Sequence, residues 1–253
     1  MAVIAGDRVS AFATAPRSGS GAELSARLVN CGWVRRTAAA MQALLGTSAS
    51  DWQRFADGWD DMPVDTFMAD GGGYRRRRHG VFEVGPRSMK AVLGQPHYQS
   101  RAHNRLNGGV DRWFAGLSQD VTDSAVLRRI LRTCREVYTP LVPRADRWRA
   151  QVHQFRIEAT ANAAGLPTPE GRHRDGVTAG LVMLIGRAGV KGGVTRLWTP
   201  GGDRLARFAM TNPGEALFFD DRKLLHDVSP VVAATDSAVG HRDVLVVTFE
   251  PER

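Results

Sequence analysis

The last hundred residues constrain the fold most. From about residue 150 the chain alternates short β-favouring runs with glycine- and proline-rich breaks. The runs are VHQFRIEAT (152–160), VTAGLVMLI (177–185), GVTRLWT (193–199), RLARFAM (204–210), EALFFD (215–220), LLHDVSPV (224–231) and RDVLVVTFE (242–250). The breaks fall at Gly165 to Pro169, Gly186 to Gly193, Pro200-Gly201-Gly202, Asn212-Pro213-Gly214 and Gly240. Each break carries the residues that reverse a chain. Many short strands joined this way specify a sandwich or jelly roll.

The first half reads differently. AELSARLVNCGW and RTAAAMQALLG space their apolar residues by three to four, and SDWQRFADGW follows with Ser50 or Asp51 as its cap, so residues 21–58 are expected to be helical. SQDVTDSAVLRRILRTCREVY (118–138) is the clearest helix, with Val126, Ile130, Cys134 and Val137 on one stripe and Pro140 and Pro143 beyond its end. The expected fold is therefore mainly β with flanking α-helices. Residues 1–20, small and polar, are expected to be a flexible tail. Residues 21–253 form a single domain, with a helical buttress and first strands in 21–149 and the jelly-roll core in 150–253.

Composition narrows the function classes. A hydrophobic content of 43% over 253 residues supports one sizeable core. No window approaches the about 18 apolar residues of a membrane helix. The N-terminus lacks a basic start before an apolar stretch, so no secretion signal is expected. Cys31 and Cys134 build neither a disulfide framework nor a CxxC pair, which points to a reducing cytoplasm. The net charge of +8 suits nucleic acid, acidic small molecules, or simply a solvated arginine-rich surface.

The stretch GRHRDGVTAG (171–180) puts His173 and Asp175 two residues apart, just before an apolar run. In extended backbone, residues i and i+2 point to the same side. An imidazole and a carboxylate then aim at a common point, and FFDDRKLLHDVSPV offers His226 as a third ligand. Two histidines and one carboxylate form the facial triad of non-haem Fe(II) oxygenases, which leaves coordination positions open. Arg242 opens the last strong strand and shares a face with Val244, Val246 and Thr248. An arginine pointing into a barrel is unfavourable unless it meets an anion. A dicarboxylate co-substrate chelating the iron at one end would present that anion at its other end.

The combined pattern resembles the Fe(II)/2-oxoglutarate-dependent dioxygenases. It comprises His173-x-Asp175, NPGEALFFDDRKLLHDVSPV with His226, and GHRDVLVVTF with Arg242. The likeness is closest to bacterial amino-acid hydroxylases typified by isoleucine dioxygenase, with further matches at VHQFRIEAT and GGVTRLW. Fainter echoes occur at GGGYRRRRHGVF (71–82) and HNRLNGGVDRWF (103–114). The resemblance implies a double-stranded β-helix of cupin-like form, with His173, Asp175 and His226 as catalytic metal ligands. Its co-substrates would be 2-oxoglutarate and O2, and it would hydroxylate an unactivated C–H of a free or lightly modified L-amino acid, releasing succinate and CO2. Arg242 would anchor the far carboxylate of 2-oxoglutarate. Halogenating relatives lack the carboxylate ligand, so Asp175 favours hydroxylation.

Other residues carry two readings. Thr248 either hydrogen-bonds the co-substrate or is an ordinary β-branched strand residue. Gln154 and Arg156 share one face of their strand, opposite His153, Phe155 and Ile157. They either line the co-substrate or substrate pocket or form a wall network. Of Arg75 to Arg78, one alternating pair, Arg75 and Arg77 in the reading adopted, would face a pocket and bind a substrate carboxylate. The alternative is a solvated basic edge strand. Asp220, Asp221, Asp227 and His241 are neighbours of the site and not ligands. The expected partner is a small molecule, with no nucleic acid and no membrane, and a homodimer is allowed. Two rivals stand beside this reading. One is the same chemistry on a small peptide or natural-product intermediate. The other is a non-enzymatic basic nucleic-acid-binding protein, although no helix-turn-helix, zinc-finger or RNA-binding signature is present.

Overall fold

The computed structural model describes residues 21–234 and 239–252. The tail expected over residues 1–20 lies outside that range. Helices α1 (Gly21–Cys31), α2 (Ala38–Leu45), α3 (Ala49–Ala56), α4 (Gln119–Thr122) and α5 (Ala125–Tyr138) belong to the first half. The strands are β1 (Trp33–Arg36), β2 (Arg75–Val84), β3 (Met89–Val92), β4 (Trp148–Ala159), β5 (Ala179–Ala188), β6 (Val190–Gly192), β7 (Val194–Trp198), β8 (Arg204–Ala209), β9 (Ala216–Asp220), β10 (Leu225–Val228), β11 (Val231–Ala233) and β12 (Gly240–Pro251).

The strands form a seven-stranded sheet ordered β1-β9-β5-β12-β4-β2-β3, a three-stranded sheet ordered β10-β7-β8, and the pair β11-β6. All these pairings are antiparallel. This is the jelly roll that the spacing of strands and breaks predicts. β12 runs between β4 and β5 and pairs with both along its length.

Period-two alternation divides the large sheet into two faces. Val152 of β4, Leu181 and Met183 of β5, and Leu245, Val247 and Phe249 of β12 pack with the helices in the main core. α5 supplies Val126, Leu127, Ile130, Leu131, Cys134, Val137 and Tyr138 to that core, all buried. Each large apolar side chain so buried contributes about 1.5–3 kcal/mol relative to exposure. The opposite face is covered by the smaller sheet, where Leu197 of β7 packs with Leu217 and Phe219 of β9.

Four local readings change. WVRR, expected within a helical stretch, is strand β1. Gly32 at φ 78° ends α1, and Trp33 to Arg36 then pair with β9. The cap of α3 is Ser48, whose hydroxyl accepts from the Asp51 amide at 3.1 Å, and not Ser50 or Asp51. The helix expected over 118–138 is two helices, because Asp123 ends one and Ser124 caps the next, accepting from the Val126 amide. Likewise the run 224–231 breaks at Ser229-Pro230 into β10 and β11.

Candidate active site

His173 and Asp175 lie on the segment entering β5, and His226 lies on β10. His173 and His226 form an isolated antiparallel bridge, so β10 holds the loop directly. The loop is not a regular strand beyond that bridge. Asp221 secures it instead: its carboxylate accepts from the amides of Asp175 at 3.0 Å, Gly176 at 2.8 Å and Val177 at 3.2 Å. One ligand atom each of His173, Asp175 and His226 lies within 4.8 Å of the others. His173 Nδ1 donates to the Gly171 carbonyl at 2.9 Å, which leaves Nε2 facing Asp175 Oδ1 at 3.5 Å. His226 Nε2 lies 3.8 Å from Asp175 Oδ2.

The electrostatics suit a cation. Burial opposes charge on His173, but its hydrogen bond with Asp175 and the carboxylate's charge outweigh it and lift the imidazole to about 9. Burial and the His173 charge push His226 down to about 4. Burial also opposes ionisation of Asp175, yet the two imidazoles hold it far below the ordinary carboxylate range. The cluster thus stabilises a positive charge at its centre. Asp221 is pushed up to about 6 by burial and by Asp175.

The triad lines a cavity of about 440 Å³. Arg242, Val244, Val246 and Thr248 of β12 face it together, as the period-two count predicts. Arg242 is 2% exposed, and its Nε and Nη2 have no hydrogen-bond partner among the described residues. Burial, reinforced by Arg187, pushes its guanidinium down to about 10. Gly193, at φ 67°, lies against it, and a Cβ there would sit 3.0 Å from Arg242 Cδ.

The structure corrects two candidates. Gln154 and Arg156 turn away from the cavity, toward the helical face. Gln154 Nε2 donates to the Gly58 carbonyl at 3.0 Å, and Arg156 forks onto Asp243 through Nε and Nη2, both at 2.8 Å. The cavity is lined instead by the other phase of β4: Gln151, His153, Phe155 and Ile157. Both faces of β4 are covered, so alternation alone gives the phase of the strand but not which face holds the site.

Arg75 and Arg77 face the cavity, 5% and 4% exposed. Their strand is not a solvated edge: β4 pairs with it on one side, and on the other the Asp65 amide donates to the Arg75 carbonyl at 2.8 Å and the Arg77 amide to the Pro63 carbonyl at 3.0 Å. Arg76 and Arg78 point outward to Glu158 and to the carbonyls of Met62, Asp61 and Gly116. Asp220 pairs with Arg222, Asp227 with Arg196, and His241 faces Asp243, so none of these three enters the triad.

The sequence reading misses several groups. Arg112 is 1% exposed and lines the cavity, as does Glu170. His79, His97 and His153 form a second imidazole cluster. The Gln151 amide oxygen accepts from His97 Nδ1 at 2.8 Å and from His79 Nε2 at 3.3 Å, while His153 Nδ1 accepts from Arg77 Nη2 at 3.1 Å. Burial, then Arg77, pushes His79 down to about 3 and His97 to about 2, so the cluster is neutral and orients Arg77. The faint echoes at 71–82 and 103–114 contain His79 and Arg112 and are the one available signal for those two.

A jelly roll carrying a 2-His-1-carboxylate cluster in an arginine-bearing cavity has the arrangement of a non-haem metal oxygenase. The chain belongs to the 2OG-Fe dioxygenase family, whose model matches residues 56–248. It is similar to the crystal structure of a bsmA homolog from Methylobium petroleophilum PM1, at 34% identity and TM-score 0.86, covering 93% of this chain and 94% of that one. In fold it is also similar to IDO from Bacillus thuringiensis (18% identity, TM-score 0.77, covering 92% of this chain and 100% of that one). The Fe(II)/α-ketoglutarate-dependent dioxygenase TqaL is a third such structure (17% identity, TM-score 0.74, covering 91% and 87%). No curated protein matches the sequence. The protein is an oxygenase enzyme of the kind that uses Fe(II), 2-oxoglutarate and O2. The residues present fit these groups: two imidazoles and a carboxylate suit Fe(II), and the unpartnered nitrogens of Arg242 suit a co-substrate carboxylate. No helix among the described residues is long and apolar enough to cross a membrane.

Proposed function

We propose that this enzyme hydroxylates an unactivated C–H of a free or lightly modified L-amino acid, with release of succinate and CO2. His173, Asp175 and His226 hold Fe(II), and Arg242 receives the far carboxylate of 2-oxoglutarate, with Thr248 beside it on the same face. Bound together, iron and 2-oxoglutarate supply the activation of O2 for C–H cleavage. The protein's own part is positional. The His173–Gly171 hydrogen bond fixes the imidazole tautomer. Val244 and Val246 line the cavity with apolar surface and keep water from the reacting centre.

The observation that carries the amino-acid reading is the group Arg75, Arg77 and Arg112, buried in the same cavity as the triad, of which only Arg75 has a close carboxylate partner, Asp65. Arg242 already meets the needs of the co-substrate, so a second group of buried guanidiniums calls for another carboxylate. A cavity of about 440 Å³ suits a small ligand. The test is succinate release from 2-oxoglutarate with Fe(II), read for each of the twenty L-amino acids. Stimulation by one or a few is the expected result, and no stimulation by any overturns the proposal.

A further inference from the structure

Arg77 and Arg112 are left without a full counter-charge. Asp65 pairs with Arg75 at 2.6 Å but stands 3.9 Å from Arg77, and it forms no ion pair with Arg112. Arg77 Nε and Arg112 Nε and Nη2 have no hydrogen-bond partner among the described residues. The Phe114 ring lies 3.8 Å from the Arg77 guanidinium carbon and 5.8 Å from that of Arg112. Ring contact positions a guanidinium without neutralising it. Asp65 and Glu170 favour both guanidinium charges only from a distance, so this end of the cavity has room and free donors for an anion.

Glu170 presents the opposite requirement in the same cavity. Its side chain is 10% exposed, and Oε1 lies 3.4 Å from His173 Nε2. Oε2 is buried with no hydrogen-bond partner, and no ion pair joins Glu170 to an arginine among the described residues. A buried carboxylate oxygen without a donor is unfavourable, as is a buried guanidinium without an acceptor. One ligand relieves both if it carries a carboxylate and a hydrogen-bonding cation close together.

We infer that Arg77 and Arg112 take the substrate's α-carboxylate and Glu170 takes its α-ammonium, so that the enzyme selects free α-amino acids over N-acylated or esterified forms. This rests on the amino-acid reading above and narrows it to substrates with both α groups unmodified. Glu170 and Arg112 are substrate-binding residues on opposite charges of one zwitterion.

The test uses the Fe(II)- and 2-oxoglutarate-loaded enzyme and the L-amino acid that most stimulates succinate release. That amino acid is compared with its N-acetyl and methyl-ester derivatives. Two readouts are taken: KM, and the anaerobic shift of the Fe(II)–2-oxoglutarate visible band when each compound is added. Wild type should favour the free amino acid over both derivatives. Glu170→Gln should raise KM for the free amino acid at least about tenfold and lower the preference over the N-acetyl form, the loss of one charge-assisted hydrogen bond. Arg112→Gln, with Arg112→Lys as the milder partner, should act on the preference over the methyl ester. The band without amino acid is recorded for every variant, so that a loss at the metal site is separated from a loss of amino-acid binding. Equal use of the derivatives by wild type, or a Glu170→Gln variant that loses the band itself while keeping the N-acetyl preference, overturns the inference and leaves the amino-acid reading standing. No response of wild type to any amino acid overturns both.

Discussion

His173 and His226 are joined backbone to backbone: the amide of His173 donates to the carbonyl of His226 at 3.0 Å, and the reverse bond is 2.9 Å. Their imidazole centroids are 4.4 Å apart. Two proposed ligands remote in sequence are thus spaced by a pair of main-chain hydrogen bonds, and the third, Asp175, is placed by the loop that Asp221 holds.

Asp221 is therefore expected to govern metal affinity without touching the metal. Asp221→Ala removes the acceptor of three amides. Fe(II) affinity should fall by about 10–100-fold, the usual effect of losing support behind a ligand, while the fold persists. Anaerobic Fe(II) titration, alongside a thermal melt, checks this. Gly176→Ala should produce a related defect, since Gly176 sits at φ 81° and a Cβ there would lie 2.5 Å from His103 Nδ1.

Arg242 offers a sharper separation. Arg242→Gln should raise the KM for 2-oxoglutarate by about 10–100-fold, the equivalent of about 1.5–3 kcal/mol for a charge-assisted hydrogen bond. Fe(II) binding measured without co-substrate should not change. Gly193→Ala, which crowds the Arg242 side chain, should reproduce part of the effect. An unchanged KM in both variants would remove Arg242 from the co-substrate site.

Gln154 distinguishes the two faces of β4. Gln154→Leu should cost about 1–2 kcal/mol in a denaturant titration, since the Gly58 carbonyl loses its donor. The KM for 2-oxoglutarate should stay at the wild-type value. A changed KM with unchanged stability would return Gln154 to the cavity.

The neutral imidazoles of His79 and His97 make stability depend on pH. In the unfolded chain both take up a proton as pH falls through about 6.5. In the fold burial, then Arg77, delays this to about 3 and about 2. The unfolded state thus binds more protons over that window, and stability is full above pH 6.5 and declines steadily toward pH 3. A Tm series from pH 7 to pH 4 should show the loss, and His79→Gln combined with His97→Gln should flatten it.

What the sequence made legible followed from strict spacing. The face shared by Arg242, Val244, Val246 and Thr248 came from alternation along one strand, and His173 and Asp175 from their separation by one residue. Three kinds of feature were hidden. β1 is short and lies between helices, so its pairing with β9 depends on tertiary contact that no local pattern reports. Gln154 and Arg156 join the wall network and not the pocket, a choice that alternation leaves open because β4 is covered on both sides. Glu170 and Arg112 stand outside regular strands, where spacing carries no direction, and only the closed fold brings them into one cavity.

The central position of β12 gives one strand two tasks. β4 and β5 have no strand between them until residues 240–251 are inserted. The strand that joins the two halves of the sheet is also the one that carries the Arg242 guanidinium into the cavity, so closure of the sheet and placement of that charge are a single structural event.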